Sequence, residues 1–231
     1  MKQHTTAIIG EVLGTAILLF IVVASGIAAE SMSDVFALQL GLHALAVAAA
    51  LGALIVFIGP LSGAHFNPAV TLGFLIDRTT DTRTAVAYVV AQIAGGVLGV
   101  MVANAMFGYA WIELSTQVRS GADQLLSEFV GTFVLVFLVI GLVRVGKIGP
   151  IAPVVAAWVF AIIIATPSYG FVNPAVTIAR ALTDTFTGIA PESVMPFVAV
   201  QLFAAAVASF AAVALYTRTT SDVPTDEREP A

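Results

Sequence analysis

Two stretches of the chain are identical over five residues: Asn67-Pro68-Ala69-Val70-Thr71 and Asn173-Pro174-Ala175-Val176-Thr177. Their chemistry is electrostatic rather than covalent. Asparagine is among the best residues for capping a helix start. Proline is favoured at the first helical position, where its missing N–H costs nothing. Each stretch therefore specifies a short helix, beginning at Pro68 and at Pro174. A helix N-terminus carries about half a positive charge. Two such ends aimed at one narrow lumen raise a barrier to cations, hydrated protons included. The asparagine amides then offer hydrogen-bond donors to an oxygen on a passing neutral molecule. A single motif of this kind is a common helix start, so its meaning depends on the elements around it.

Those elements are membrane spans. Of 231 residues, 59% are hydrophobic and 10% charged, more apolar surface than a soluble domain of this length can hide. A span needs about 20 mostly apolar residues. Six segments qualify, at roughly 7–29, 35–58, 84–107, 124–143, 149–167 and 193–216. The first runs well past signal-peptide length with no small-residue cleavage site, so it reads as a retained span. The two motif regions, 59–76 and 168–182, are too short and too rich in Gly and Pro to cross alone. They read as re-entrant segments, tolerated at membrane depth only beside a cavity. The polar end, 217–231, is expected to be a disordered tail.

The halves repeat. Glu11-Val12-Leu13-Gly14-Thr15 matches Glu128-Phe129-Val130-Gly131-Thr132, the two Asn-Pro-Ala motifs match, and Gln92 matches Gln201. The repeats cover about 7–107 and 124–216, one channel domain over 1–216. Each holds three spans, an odd number, so the second is inverted with respect to the first. Inverted repeats with broken helices meeting near the midplane form permeation paths. Placing the N-terminus in the cytoplasm puts Lys2, Arg78, Arg83, Arg144, Lys147, Arg218 and Arg228 inside and leaves Arg119 and Arg180 outside, as the positive-inside rule requires. Both termini are then cytoplasmic.

Glu11 and Glu128 are costly inside spans and must face protein. One reading is a proton relay. The favoured one is structural: acceptors for backbone N–H groups of the re-entrant loops, with Gln92 and Gln201 in similar roles. His65, just before the first motif, is expected to brace its loop. His43, one turn before Val47, is either a satisfied core residue or a pH gate. His4 lies on the terminus. Gly95, Gly96, Gly99 and Ala204–Ala206 fit close helix packing. Cysteine is absent, which excludes disulfides, thiolate metal sites and a cysteine nucleophile. Neither a catalytic triad nor a phosphate-binding loop appears, and the basic residues are few and scattered. An enzyme, a cofactor, a metal site and a nucleic-acid partner are therefore not expected.

The sequence resembles the major intrinsic protein family, the aquaporins and glycerol facilitators. The resemblance rests on Ser62-Gly63-Ala64-His65-Phe66-Asn67-Pro68-Ala69-Val70-Thr71, on Glu11-Val12-Leu13-Gly14-Thr15, on the second Asn-Pro-Ala and on the six-span repeat. It implies an all-α membrane fold of six tilted helices and two half-helices in an inverted repeat, assembled as a homotetramer with one pore per subunit. It also implies passive conduction of small neutral solutes across the lipid bilayer. The family's constriction has four positions. Counting from the motifs, these fall on Val47, on one of the apolar residues Ala161, Ile162, Ile163 or Ile164 (Ile162 is taken), on Gly170, and on Val176 where the family nearly always has arginine.

Arginine brings five donors and a fixed charge. A ring of Val47, Ile162, Gly170 and Val176 is wide and apolar. It makes water forfeit hydrogen bonds without replacement and is more lenient to larger neutral molecules. Thr177 stands where glycerol facilitators carry an acidic residue, against a dedicated glycerol role. Valine for arginine resembles the AqpS-like channels of bacterial arsenic-resistance operons, which implies arsenite or methylated arsenicals as solutes and a bacterial inner (plasma) membrane location. Arg180, one turn beyond Val176, is expected at the outer mouth near Asp184, since arginine snorkels to interfaces; the alternative is a reach back toward the constriction. An ordinary water channel, and from another class an ion-coupled transporter using Glu11 or Glu128, are the competing functions.

Overall fold

The computed structural model describes residues 2–218. The expectation of a disordered tail lies outside the described residues from 219 onward, as does Arg228. Within the described residues, Arg218 Nη2 binds the Asp77 carboxylate at 2.6 Å.

Among the described residues the chain forms eight α-helices. They are α1 (Lys2–Met32), α2 (Phe36–Ser62), α3 (Pro68–Ile76), α4 (Thr82–Met106), α5 (Ala122–Arg144), α6 (Ile151–Ala165), α7 (Pro174–Ala179) and α8 (Pro191–Leu215). A 3-10 turn, Arg180–Leu182, continues α7. Five helices, α1, α2, α4, α5 and α8, are long and apolar enough to cross a membrane. The segment expected as a span over 149–167 is shorter. Its helix, α6, has 15 residues and rises about 22 Å at 1.5 Å per residue, against about 30 Å of hydrocarbon. Pro150 sets its start, and the chain turns extended at Thr166, directly before Pro167. The backbone after it enters the second re-entrant segment.

Packing follows the repeat. In each half the first and third long helices pair closely, α1 with α4 and α5 with α8, and α2 lies against α6 across the halves. Small residues permit the pairing. A Cβ on Gly95 or Gly99 would overlap the Val12 or Ala16 carbonyl of α1. Ala204, Ala205, Ala208 and Ala212 of α8 are almost wholly buried. With lipid on the outside, no hydrophobic force drives helices together, and close backbone approach supplies the attraction instead. Large apolar residues such as Phe57, Val86, Phe203 and Phe210 face outward.

The polar ends are tied by ions. Asp77, which ends α3, has a fully buried carboxylate that takes Arg144 Nη1 at 2.5 Å and Arg218 Nη2 at 2.6 Å. Arg144 Nε also donates to the Tyr216 carbonyl. One carboxylate thus joins a half-helix, the end of α5 and the chain after α8.

Candidate permeation pore

Each half-helix starts as local chemistry dictates. Asn67 is extended, and its Oδ1 accepts from Ala69 N at 2.8 Å. Asn173 does the same for Ala175 N at 2.9 Å and Val176 N at 3.3 Å. The other end of each amide reaches across the molecule. Asn67 Nδ2 donates to the Val172 carbonyl at 2.9 Å, and Asn173 Nδ2 donates to the Phe66 carbonyl at 2.8 Å. Each asparagine therefore bonds the residue that precedes the other asparagine. The two helix N-termini are locked head to head. One N–H per amide is used in this lock; an amide nitrogen has two N–H groups, and one remains.

The lock requires strained backbone. Phe66 and Val172 sit at φ 49° and 43°, a conformation that costs a bulky residue on the order of 1–3 kcal/mol. Two carboxylates hold it. Glu11 accepts from Phe66 N at 2.7 Å, His65 N at 3.0 Å and Ser62 Oγ at 2.7 Å. Glu128 accepts from Phe171 N at 2.9 Å and Val172 N at 2.8 Å. Bonds to a charged acceptor contribute about 1.5–3 kcal/mol each, enough to outweigh the strain. Gln92 Nε2 links Glu11 to Thr71, and Gln201 Nε2 links Glu128 to Thr177. The glycines three residues after each Glu make room: a Cβ on Gly14 would overlap the Phe66 ring, and one on Gly131 would lie 2.6 Å from Val172. His65 completes the first loop through Thr71 Oγ1 at 3.1 Å and a stack on Phe74.

One cavity passes the lock. Its wall includes Asn67 and Asn173, and along α2 it runs from His43 through Val47 and Leu51 to Ile55. That is 12 residues of helix, about 18 Å at 1.5 Å per residue. The lining is largely aliphatic, with Val155, Val159 and Ile163 presenting one face of α6. Val47, Gly170 and Val176 line it. Ile162 does not: its side chain packs behind Gly170, where a Cβ would approach its Cγ1 and Cδ1 at 2.9 Å. Among residues 161–164 of α6, the one that lines the cavity is Ile163. The correction follows from helical geometry, since 155, 159 and 163 recur every four residues on one face and 162 falls beside it. Gly170 has φ 61° and is pressed against α6, so both its conformation and its space exclude a side chain.

The mouth beyond this ring is built differently from the sequence expectation. Arg180 is not on the surface beside Asp184. It is 5% exposed, lines the same cavity as Val176, and lies with its guanidinium carbon 3.5 Å from the Phe171 ring centroid. Its Nε donates to the Thr187 carbonyl. Asp184 is engaged elsewhere: it accepts from Thr116 N at 2.9 Å and Thr116 Oγ1 at 3.1 Å. Linker residues 113–117 pair with 181–190 through Glu113 N to Leu182 O and Ala190 N to Gln117 O. With its candidate partner occupied, Arg180 lies over the Phe171 side chain. The four ring positions carry no arginine, and Arg180 lines the same cavity beyond them.

Two further residues join it: Arg119, which the sequence reading left outside the pore, and His43, which it gave as a core residue or a pH gate. Arg119, from the linker, donates from Nε to the Gly188 carbonyl at 2.7 Å and lies 5.1 Å from the same Phe171 ring. Burial pulls its guanidinium below the usual value, with Tyr169 and Glu128 pulling it back up, and an arginine stays charged through such a shift. His43 lines the cavity with Nδ1 bonded to Ser25 Oγ at 2.8 Å. The available signal was that Arg119 and Arg180 are the two basic residues the charge pattern leaves on one side.

Inverted halves, head-to-head half-helices and a lumen between them define a multi-pass membrane channel rather than an enzyme. The chain belongs to the major intrinsic protein family, whose model matches residues 1–167 and again 116–229. It is 39% identical over 201 residues, 87% of this chain and 86% of the relative, to aquaglyceroporin AqpS of Rhizobium meliloti. It is 32% identical over 184 residues to aquaporin NIP1-1 of Oryza sativa subsp. japonica, covering 76% of this chain and 63% of that one. Its fold matches the X-ray structure of the aquaglyceroporin from Plasmodium falciparum with a TM-score of 0.69 at 21% identity, over 90% of this chain and 93% of that chain.

Proposed function

We propose that this protein is a passive channel for small neutral solutes larger than water. Arsenous acid and its methylated forms, glycerol-like polyols and some water would pass. The observation that carries the reading is the ring of Val47, Ile163, Gly170 and Val176, apolar at all four positions and lining one cavity with both asparagines. Water entering such a ring gives up hydrogen bonds at about 0.5–1.5 kcal/mol each without repayment. A solute with carbon or arsenic between its hydroxyls has fewer to give up per unit of size. The similarity to an aquaglyceroporin AqpS supports solutes beyond water.

In this reading the Arg180 mouth faces outward, both termini are cytoplasmic, and four copies sit in a bacterial plasma membrane. The asparagine lock and half-helix termini form the inner barrier to cations. Glu11 and Glu128 serve the scaffold, because their oxygens are spent on loop N–H groups and glutamines. The test is stopped-flow light scattering on proteoliposomes with water, glycerol and arsenous acid. The proposal expects glycerol and arsenous acid permeability well above empty vesicles, with a low ratio of water to solute. Water flux alone, with solutes at the empty-vesicle level, would return the protein to the ordinary water channels.

A further inference from the structure

The ring that sets size carries no polar selectivity, yet polar groups stand one helical turn away from it on both walls. His43 lies four residues before Val47 on α2, and Arg180 lies four residues after Val176. Each pair shares a helix face, and all four residues line the same cavity. Four residues of helix rise about 6 Å. We propose that Arg180, with His43 opposite and Arg119 behind, forms a separate selectivity station about one turn toward the mouth from the apolar ring. It binds the hydroxyl oxygens of small neutral solutes and turns back cations. The inference rests on the channel reading and adds the residues that choose among solutes.

The hydrogen bonds support it. Arg180 uses Nε on the Thr187 carbonyl, and its two terminal nitrogens make no hydrogen bond to any described residue. Guanidinium offers five N–H donors, so four have no acceptor among the described residues. His43 has Nδ1 taken by Ser25, and its Nε2 makes no hydrogen bond to any described residue. Neither Arg180 nor Arg119 pairs with a carboxylate among the described residues, where both ion pairs belong to Asp77. Asp184, the acid expected beside Arg180, is held by Thr116. Glu128 is the buried acid of this region, and its oxygens are taken by Phe171 N, Val172 N and Gln201. No acid among the described residues therefore neutralises the station.

Its position is fixed from behind. Phe171 presents its ring to Arg180 at 3.5 Å and to Arg119 at 5.1 Å, an attraction of about 0.5–2 kcal/mol for each cation. Glu128 anchors Phe171 through its backbone N–H. Arg119 is further held by the Gly188 and Phe186 carbonyls, so it acts as a positioning residue that adds charge. Arginine at this depth supplies the donors that valine at position 176 cannot, and leaves the ring itself wide. Size selection and hydrogen-bond selection thus occur at two successive levels.

The test compares wild type, Arg180→Leu and Arg180→Lys in proteoliposomes. Three quantities are read: glycerol flux, flux of 1,2-propanediol (which lacks one hydroxyl), and proton leak reported by an enclosed pH dye. Arg180→Leu is expected to lower the preference for glycerol over propanediol by about tenfold, the worth of one bond to a charged donor, and to open a proton leak. Arg180→Lys keeps the charge and loses the fork, so the leak stays closed while the preference falls. Unchanged preference and no leak in Arg180→Leu would overturn the proposal and leave Arg180 a loop brace. If Arg180→Leu does not assemble, Arg180→Lys decides alone: a fallen preference supports the station, and an unchanged one overturns it. A wild type that conducts neither solute would instead overturn the channel reading.

Discussion

Replacing Val176 by arginine inserts a guanidinium into the apolar ring, and its cost and effect can be worked from the surroundings. Arg180 is one turn away, about 6 Å along the helix. Two like charges at that distance repel by about 3 kcal/mol at an effective dielectric of 20. The new side chain has no platform on the wall, because Arg180 already covers Phe171 at 3.5 Å. Gly170 and Ile163 opposite offer no acceptor side chain. The guanidinium must therefore lie across the lumen, where it blocks glycerol-sized molecules but hydrogen-bonds water. Stopped-flow measurements on proteoliposomes should show glycerol and arsenous acid flux reduced by at least about tenfold, equivalent to 1.4 kcal/mol of added barrier. Water flux should change by less than about threefold. The melting temperature in detergent should also fall, reflecting the repulsion. Equal reduction of water and glycerol, or no reduction of either, would refute the assignment of this ring as the size filter.

Other perturbations test the scaffold. Glu11→Gln turns one acceptor oxygen into a donor facing Ser62, His65 or Phe66, and should cost about 2–4 kcal/mol as lost charged hydrogen bonds; thermal unfolding in detergent reads it. Any solute flux that survives in Glu11→Gln should remain independent of ion gradients, whereas a coupled transporter would lose its gradient dependence. Gly14→Ala drives a Cβ into the Phe66 ring and should abolish solute flux by displacing the carbonyl that holds Asn173, with flux per unit of reconstituted protein as the measure. Asp77→Ala removes the shared partner of Arg144 and Arg218 and should lower stability by about 1–3 kcal/mol. That is below the figure for a fully buried pair because Arg218 is about half exposed, and high salt should shrink the difference between wild type and variant.

The parts of the pore that could be read from sequence are those where local chemistry and repetition coincide. Asn67-Pro68 and Asn173-Pro174 specify their own helix starts, and the matched Glu and Gln in each half mark what supports them. The approximate bounds of the long helices followed from uninterrupted apolar length. What could not be read depends on partners distant in the chain. The amide lock joins Asn67 to Val172 and Asn173 to Phe66, more than 100 positions apart. Ile163 rather than Ile162 faces the lumen because of the rotation of α6 about its axis, and four consecutive apolar residues give no signal of that rotation. Arg180 was expected at the outer mouth near Asp184 because arginine snorkels to interfaces. Thr116, from the linker between the repeats, takes that carboxylate first, and no local pattern announces such a competition. Asp77 likewise shows its role only when α3, α5 and the chain after α8 are brought together.

The most direct test of a passive neutral-solute pore is the concentration dependence of arsenous acid and glycerol uptake by wild-type protein in sealed proteoliposomes. The channel account predicts flux that rises linearly with the solute gradient and is indifferent to imposed proton or sodium gradients. Uptake that saturates, or that accumulates solute against its gradient when an ion gradient is applied, would contradict it.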